Sequence, residues 1–169
     1  TGAVAHPRSG EPLPPGTVTD LDEARRAAAA LEADPPDLLL LQHVTFATGE
    51  LVAPLIAAAP RLALWALPEG PDRVGPLPFN ALCGLQMTLS LLGVPPVAHG
   101  DRPAKWLYGE VGEDRFARSF ATTVAALRAL RTLERATVLR IGGTAPGFYA
   151  LEERPEALRG VRVVDAELA

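Results

Sequence analysis

Residues 37–67 read DLLLLQHVTFATGELVAPLIAAAPRLALWAL, and this stretch decides the fold. Leu38 to Leu41 and Leu62 to Leu67 are short, continuously apolar runs, the pattern of strands covered on both faces. Between them Gly49 to Ala59 suits a short helix, with Pro54 near its first turn. A strand, a crossover helix and a second buried strand imply a parallel sheet.

Working towards the amino terminus, Asp20 opens the run DLDEARRAAAALEA, a capping-box pattern to Glu23 followed by strong helix formers. Pro35 and Pro36 end that helix. Before it, Pro7, Pro12, Pro14, Pro15 and Gly16 read as a loop rather than as the opening strand of a sheet. Thr1 is not an initiator methionine, so the chain reads as a piece of a longer protein.

Towards the carboxyl terminus, Pro68 to Pro78 is proline- and glycine-rich and reads as a loop leaving the end of a strand, where open α/β sheets place ligands. Asn80 is expected to cap a helix from Ala81 to Leu92 that stops at Gly93 and Pro95-Pro96. A short strand is expected around Lys105-WLY. Arg115 to Arg135 is amphipathic, with Phe116, Phe120, Val124, Leu127, Leu130 and Leu133 at intervals of three or four, a face expected to bury against the sheet. Thr137-VLRIGG and Gly160-VRVVDA read as further strands, with a helical turn over Glu152 to Leu158. The expected fold is α/β: a Rossmann-like parallel sheet flanked by helices over residues 1–135, lacking its first strand, and the start of a second α/β domain over residues 136–169.

Composition narrows the function classes. Hydrophobic residues at 48% and charged ones at 21% suit a folded globular chain, which excludes disorder as the default. No apolar run approaches the roughly 20 residues of a membrane span, and no basic segment with an apolar core opens the chain, so a cytoplasmic home is expected. The single cysteine, Cys83, excludes an internal disulfide and a thiolate zinc site of its own. A net charge of −4 makes nucleic acid an unfavourable partner.

The chemistry-bearing residues are few. His6, His43 and His99 include no i, i+4 pair on a helix, so they do not suggest a metal site. His43 follows a strand, in the zone where ligands sit, although a bland loop role outweighs direct chemistry. Gly142 to Gly147 follows a strand like a phosphate loop, but it lacks the Lys-Ser/Thr pair and the GxGxxG spacing, which disfavours a nucleotide binder. Cys83, in the first turn of a helix, has no identifiable base and reads as packing. Trp65 reads first as core; yet Trp65-ALPE69 sets a ring and a carboxylate at a strand end, and Asn80 through Gln86 bring amides back nearby. An aromatic face with amides and carboxylates suits a small polar ligand such as a sugar.

Taken in order, Leu38-LLLQHVTF46, Leu62-ALWALPEG70, Leu77-PFNALCG84, Trp106-LYG109, Val138-LRIGGTAPGFY149 and Val161-RVVDAEL168 resemble the L-fucose isomerase and L-arabinose isomerase superfamily. The resemblance spans nearly the whole chain after Asp37. It implies a three-domain aldose–ketose isomerase, trimeric or hexameric, in which a divalent ion, usually manganese, supports proton transfer between the first two sugar carbons. Its metal ligands belong to later segments, so this chain alone is expected to be inactive, with no catalytic residue and no metal ligand of its own. It also implies that the first domain contacts the sugar of a neighbouring subunit, through Trp65, Glu69, Asn80, Cys83 and Gln86. Cys83 stands where arabinose isomerases carry a histidine, which speaks against arabinose. The competing expectation is a non-catalytic sugar-binding or regulatory module of the same fold.

Overall fold

The computed structural model describes residues 16–69, 80–94, 97, 104–142, 145–147 and 160–167. The elements are α1 (Leu21–Ala33), β1 (Leu39–His43), α2 (Gly49–Ala58), β2 (Leu62–Ala66), α3 (Ala81–Leu91), β3 (Ala104–Tyr108), α4 (Asp114–Glu134), β4 (Thr137–Ile141) and β5 (Arg162–Ala166). The protein is α/β, as its apolar pattern implies, with every described strand pairing parallel. The helical turn expected over 152–158, most of the Pro68 to Pro78 loop, His6, His99 and Gly143 lie outside the described residues.

The chain divides into two compact units between Ala117 and Arg118, inside α4. In the first, β1, β2 and β3 form one sheet in that order, with Leu41 opposite Leu64 and Leu64 opposite Trp106. β2 is central. Its Leu62, Leu64 and Ala66 point to one face, where Val52, Ile56 and Ala59 of the α2 region and Ala81 and Leu85 of α3 close a core. Complete burial of a leucine such as Leu64 is worth about 1.5–3 kcal/mol relative to exposure. Strand alternation sends Ala63 and Trp65 to the other face. There Phe116, from the first turn of α4, stacks on Trp65 with centroids 4.8 Å apart and the planes tilted by 38°.

Local sequence explains the ends. The Asp20 side chain accepts from the Glu23 amide at 2.8 Å, and Glu23 reaches back to the Thr19 amide at 2.8 Å and its hydroxyl at 2.9 Å. This closes a capping box one residue wider than the usual one. The Thr19 bonds hold the Glu23 carboxyl below its ordinary pKa. Helix α2 runs on through Pro54. One i to i−4 bond is lost there, and the burial of Val52, Leu55 and Ile56 on either side offsets it.

Among the described residues of the second unit β4 and β5 form a two-stranded sheet, with Arg140 opposite Asp165. The two side chains form a fork at 2.6 and 3.0 Å. Val138, Leu139 and Ile141 are all more than half or half exposed, at 50%, 57% and 58%. The stripe read along α4 behaves differently from expectation. Phe116 is buried, but Phe120, Val124, Leu127 and Leu130 are half-buried and Leu133 is exposed. The period was legible; the depth of burial depends on what covers the stripe, which the period does not encode.

Candidate functional site

Parallel strands bring their following turns to one edge of the sheet, and that edge is the natural ligand zone. Here the turns are stitched together: the Leu67 amide donates to the His43 carbonyl at 3.4 Å, and the Gly109 amide to the Ala66 carbonyl at 3.4 Å. The residues that follow β1 include Val44 and Phe46, exposed at 54% and 48%. Those after β2 are Leu67 to Glu69, and those after β3 are Gly109 to Glu113.

Trp65 and Gly109 are coupled. The indole Nε1–H donates to the Gly109 carbonyl at 2.8 Å. Gly109 has φ +138°, and a Cβ there would lie 2.7 Å from a Glu113 carboxylate oxygen and 3.3 Å from Phe116 Cβ. Only glycine accommodates both the conformation and the crowding. Trp65 therefore has its polar handle engaged and one face on Phe116.

Asn80 does not cap α3 with its side chain. It adopts φ 57°, ψ 38°, a left-handed conformation that asparagine tolerates better than most residues, and its side chain makes no capping bond. The capping acceptor is instead Glu69, whose Oε1 takes the Ala81 amide hydrogen at 3.2 Å. A carboxylate at a helix amino terminus is favoured by the macrodipole as well as by the bond. Sequence reading missed this because the partner lies far along the chain from Ala81, whereas caps are sought within three residues.

The five residues singled out in the sequence thus fall into two groups. Glu69 and Asn80 are brought together at the start of α3, with Cys83 and Gln86 exposed on the same helix. Trp65 is not brought to them: it points to the sheet face opposite α3 and joins the Gly109 turn.

His43 ends β1 at 3% exposure, and burial lowers its pKa below the ordinary histidine value. Its Nε2 lies 3.2 Å from the Thr88 hydroxyl. Among the described residues no group of three or more His, Cys, Asp or Glu side chains converges as a metal site would require. No described helix is long and apolar enough to cross a membrane.

Comparison with known proteins adds one relationship. No protein-family profile matches the chain. It is 24% identical over 159 residues to the sulfoquinovose isomerases of Priestia aryabhattai and of Priestia megaterium, a match covering 92% of this chain and 34% of each of those proteins. The chain thus spans about a third of the length of the curated relatives it matches. The likeness supports a relationship to sugar isomerases.

Proposed function

We propose that the chain is the sugar-contacting portion of an aldose–ketose isomerase of the L-fucose/L-arabinose isomerase kind. The observation that carries the sugar-isomerase part of this reading is the match to sulfoquinovose isomerase, which runs along 92% of the chain rather than along a single motif; the L-fucose/L-arabinose kind rests on the ordered motifs of the sequence. The reaction class needs a proton moved between adjacent sugar carbons while the polyol is held in place. Such holding is done by a few fixed polar groups beside an apolar wall.

In this reading the exposed side of α3 presents Asn80, Cys83 and Gln86 to hydroxyls. Glu69 fixes the start of that helix through the Ala81 amide. Trp65 anchors the neighbouring Gly109 turn, so its contribution to the sugar is one of position. In the longer protein a divalent ion, manganese by the resemblance, would polarise the sugar oxygens from ligands outside this chain. A trimeric or hexameric assembly in the cytoplasm belongs to the same proposal.

The test is an isomerisation assay of the longer protein with manganese against L-fucose, L-arabinose and sulfoquinovose. Turnover of one of these aldoses, with KM raised by Asn80→Ala or Gln86→Ala, is the expected result. No turnover of any of them and no bound metal would overturn it. Calorimetry on the 169-residue chain addresses the non-catalytic alternative: metal-free sugar binding without turnover by the longer protein is its signature.

A further inference from the structure

His43, Gly84 and Thr88 form a buried cluster that the sugar-contact reading does not use. Thr88 is fully buried on α3, and its Oγ1 lies 2.9 Å from the Gly84 carbonyl oxygen. Two oxygens that close need a proton between them, and only the hydroxyl has one; a threonine donating to the carbonyl four residues back is a common helical habit. The hydroxyl's lone pair is then what faces His43 Nε2 at 3.2 Å. Two lone pairs would repel, so Nε2 carries the ring hydrogen and donates it.

The consequence falls on Nδ1. In a neutral imidazole with hydrogen on Nε2, Nδ1 is a bare acceptor. Among the described residues it has no hydrogen-bond partner. It sits 3.2 Å from the point a Gly84 Cβ would occupy, a point also 3.0 Å from the Thr45 carbonyl oxygen and 3.3 Å from the Ala47 nitrogen. The ring, helix α3 and the turn after β1 meet at one glycine.

We infer that His43 is a neutral Nε2–H pin, a positioning residue that holds the part of α3 bearing Cys83 and Gln86 against the turn after β1, and that its protonation releases this packing. That the held surface contacts a sugar rests on the isomerase reading; the pin itself rests on the geometry. A second ring proton would place a charge in a site with little water. The ionisable groups on the elements packed around it, Glu50 of α2, Glu69 after β2 and Cys83 of α3, are all exposed. None contributes to its lowered pKa, which comes from burial alone.

The sign follows. The unfolded chain takes up a proton near pH 6.5 while the folded ring resists it, so stability is full above that pH and declines as pH falls through it. Long-range 15N NMR of the full chain reads the tautomer directly. Hydrogen on Nε2, retained in the neutral ring below the ordinary histidine range, is expected. Hydrogen on Nδ1, or titration at or above about pH 6.5, overturns the inference.

His43→Gln keeps an amide donor for Thr88 and cannot titrate. Between about pH 8 and about pH 5, the melting midpoint and the protection of the Ala81–Leu91 amides should fall further in the native chain than in this variant. Equal falls would sink the release step, and the NMR result decides the pin even where the variant does not fold. Absence of isomerase turnover leaves both readouts intact, so the two proposals fail separately.

Discussion

β2 and β4 are both five-residue strands in parallel pairs, LALWA and TVLRI, yet they live in opposite surroundings. In β2, Leu62, Ala63, Leu64 and Ala66 are buried, because the strand is central and α2 and α3 cover one of its faces. In β4 the aliphatic Val138, Leu139 and Ile141 are exposed in a sheet of two strands. Apolar patterning announces a strand. What decides its burial is whether the chain also supplies layers for both faces, and isolated two-stranded sheets are marginal without such cover.

The sharpest break of this comparison is a matched pair of truncations. Leu64→Ala should cost roughly 2–5 kcal/mol in chemical denaturation, since Leu64 is 0% exposed among packed neighbours. Leu139→Ala, at 57% exposure, should stay within about 0.5 kcal/mol. Equal costs would show that β4 is covered in solution.

Next in size, Gly84→Ala pits a helix-propensity gain of about 1 kcal/mol against contacts with two backbone atoms and a buried ring. The crowding wins, for a net loss of roughly 1–2 kcal/mol by thermal unfolding. A gain would mean that the turn after β1 yields easily. Asp20→Ala removes the acceptor for the Glu23 amide and should cost about 1 kcal/mol in the same measurement.

The smallest effect concerns β4 and β5. The Arg140 fork holds the Asp165 carboxyl below its ordinary pKa, chiefly through the hydrogen bond. Its stabilisation is present above the ordinary carboxylate range and fades as pH drops through the lowered value. Arg140→Gln should move Asp165 up towards the usual aspartate value in a 13C titration, with little change in melting because the pair is exposed.

Much of the fold was legible because its signals are local. The runs at Leu38 to Leu41 and Leu62 to Leu67 became β1 and β2, Pro35 and Pro36 follow α1 closely, and Asp20 caps as its spacing implies. The wiring around the candidate residues was not legible. Glu69 reaching Ala81, the Trp65 indole reaching Gly109, and His43 meeting Thr88 all join residues far apart in sequence. Such pairings follow from which strands lie side by side and which face each side chain takes. Trp65 is the plainest case: its strand was readable, yet its separation from Asn80 emerged only once α2 and α3 occupied the other face.

In the first sheet the spatial order β1, β2, β3 is also the order of the sequence. Among the described strands of this sheet none wedges between two earlier ones, so β2 can dock on the edge of β1 and β3 on the edge of β2, each with its crossover helix arriving first. Domains tend to form from the amino terminus during synthesis, and contacts between successive segments shorten the search. This topology lends itself to assembly by accretion, one strand at a time, while translation is still under way.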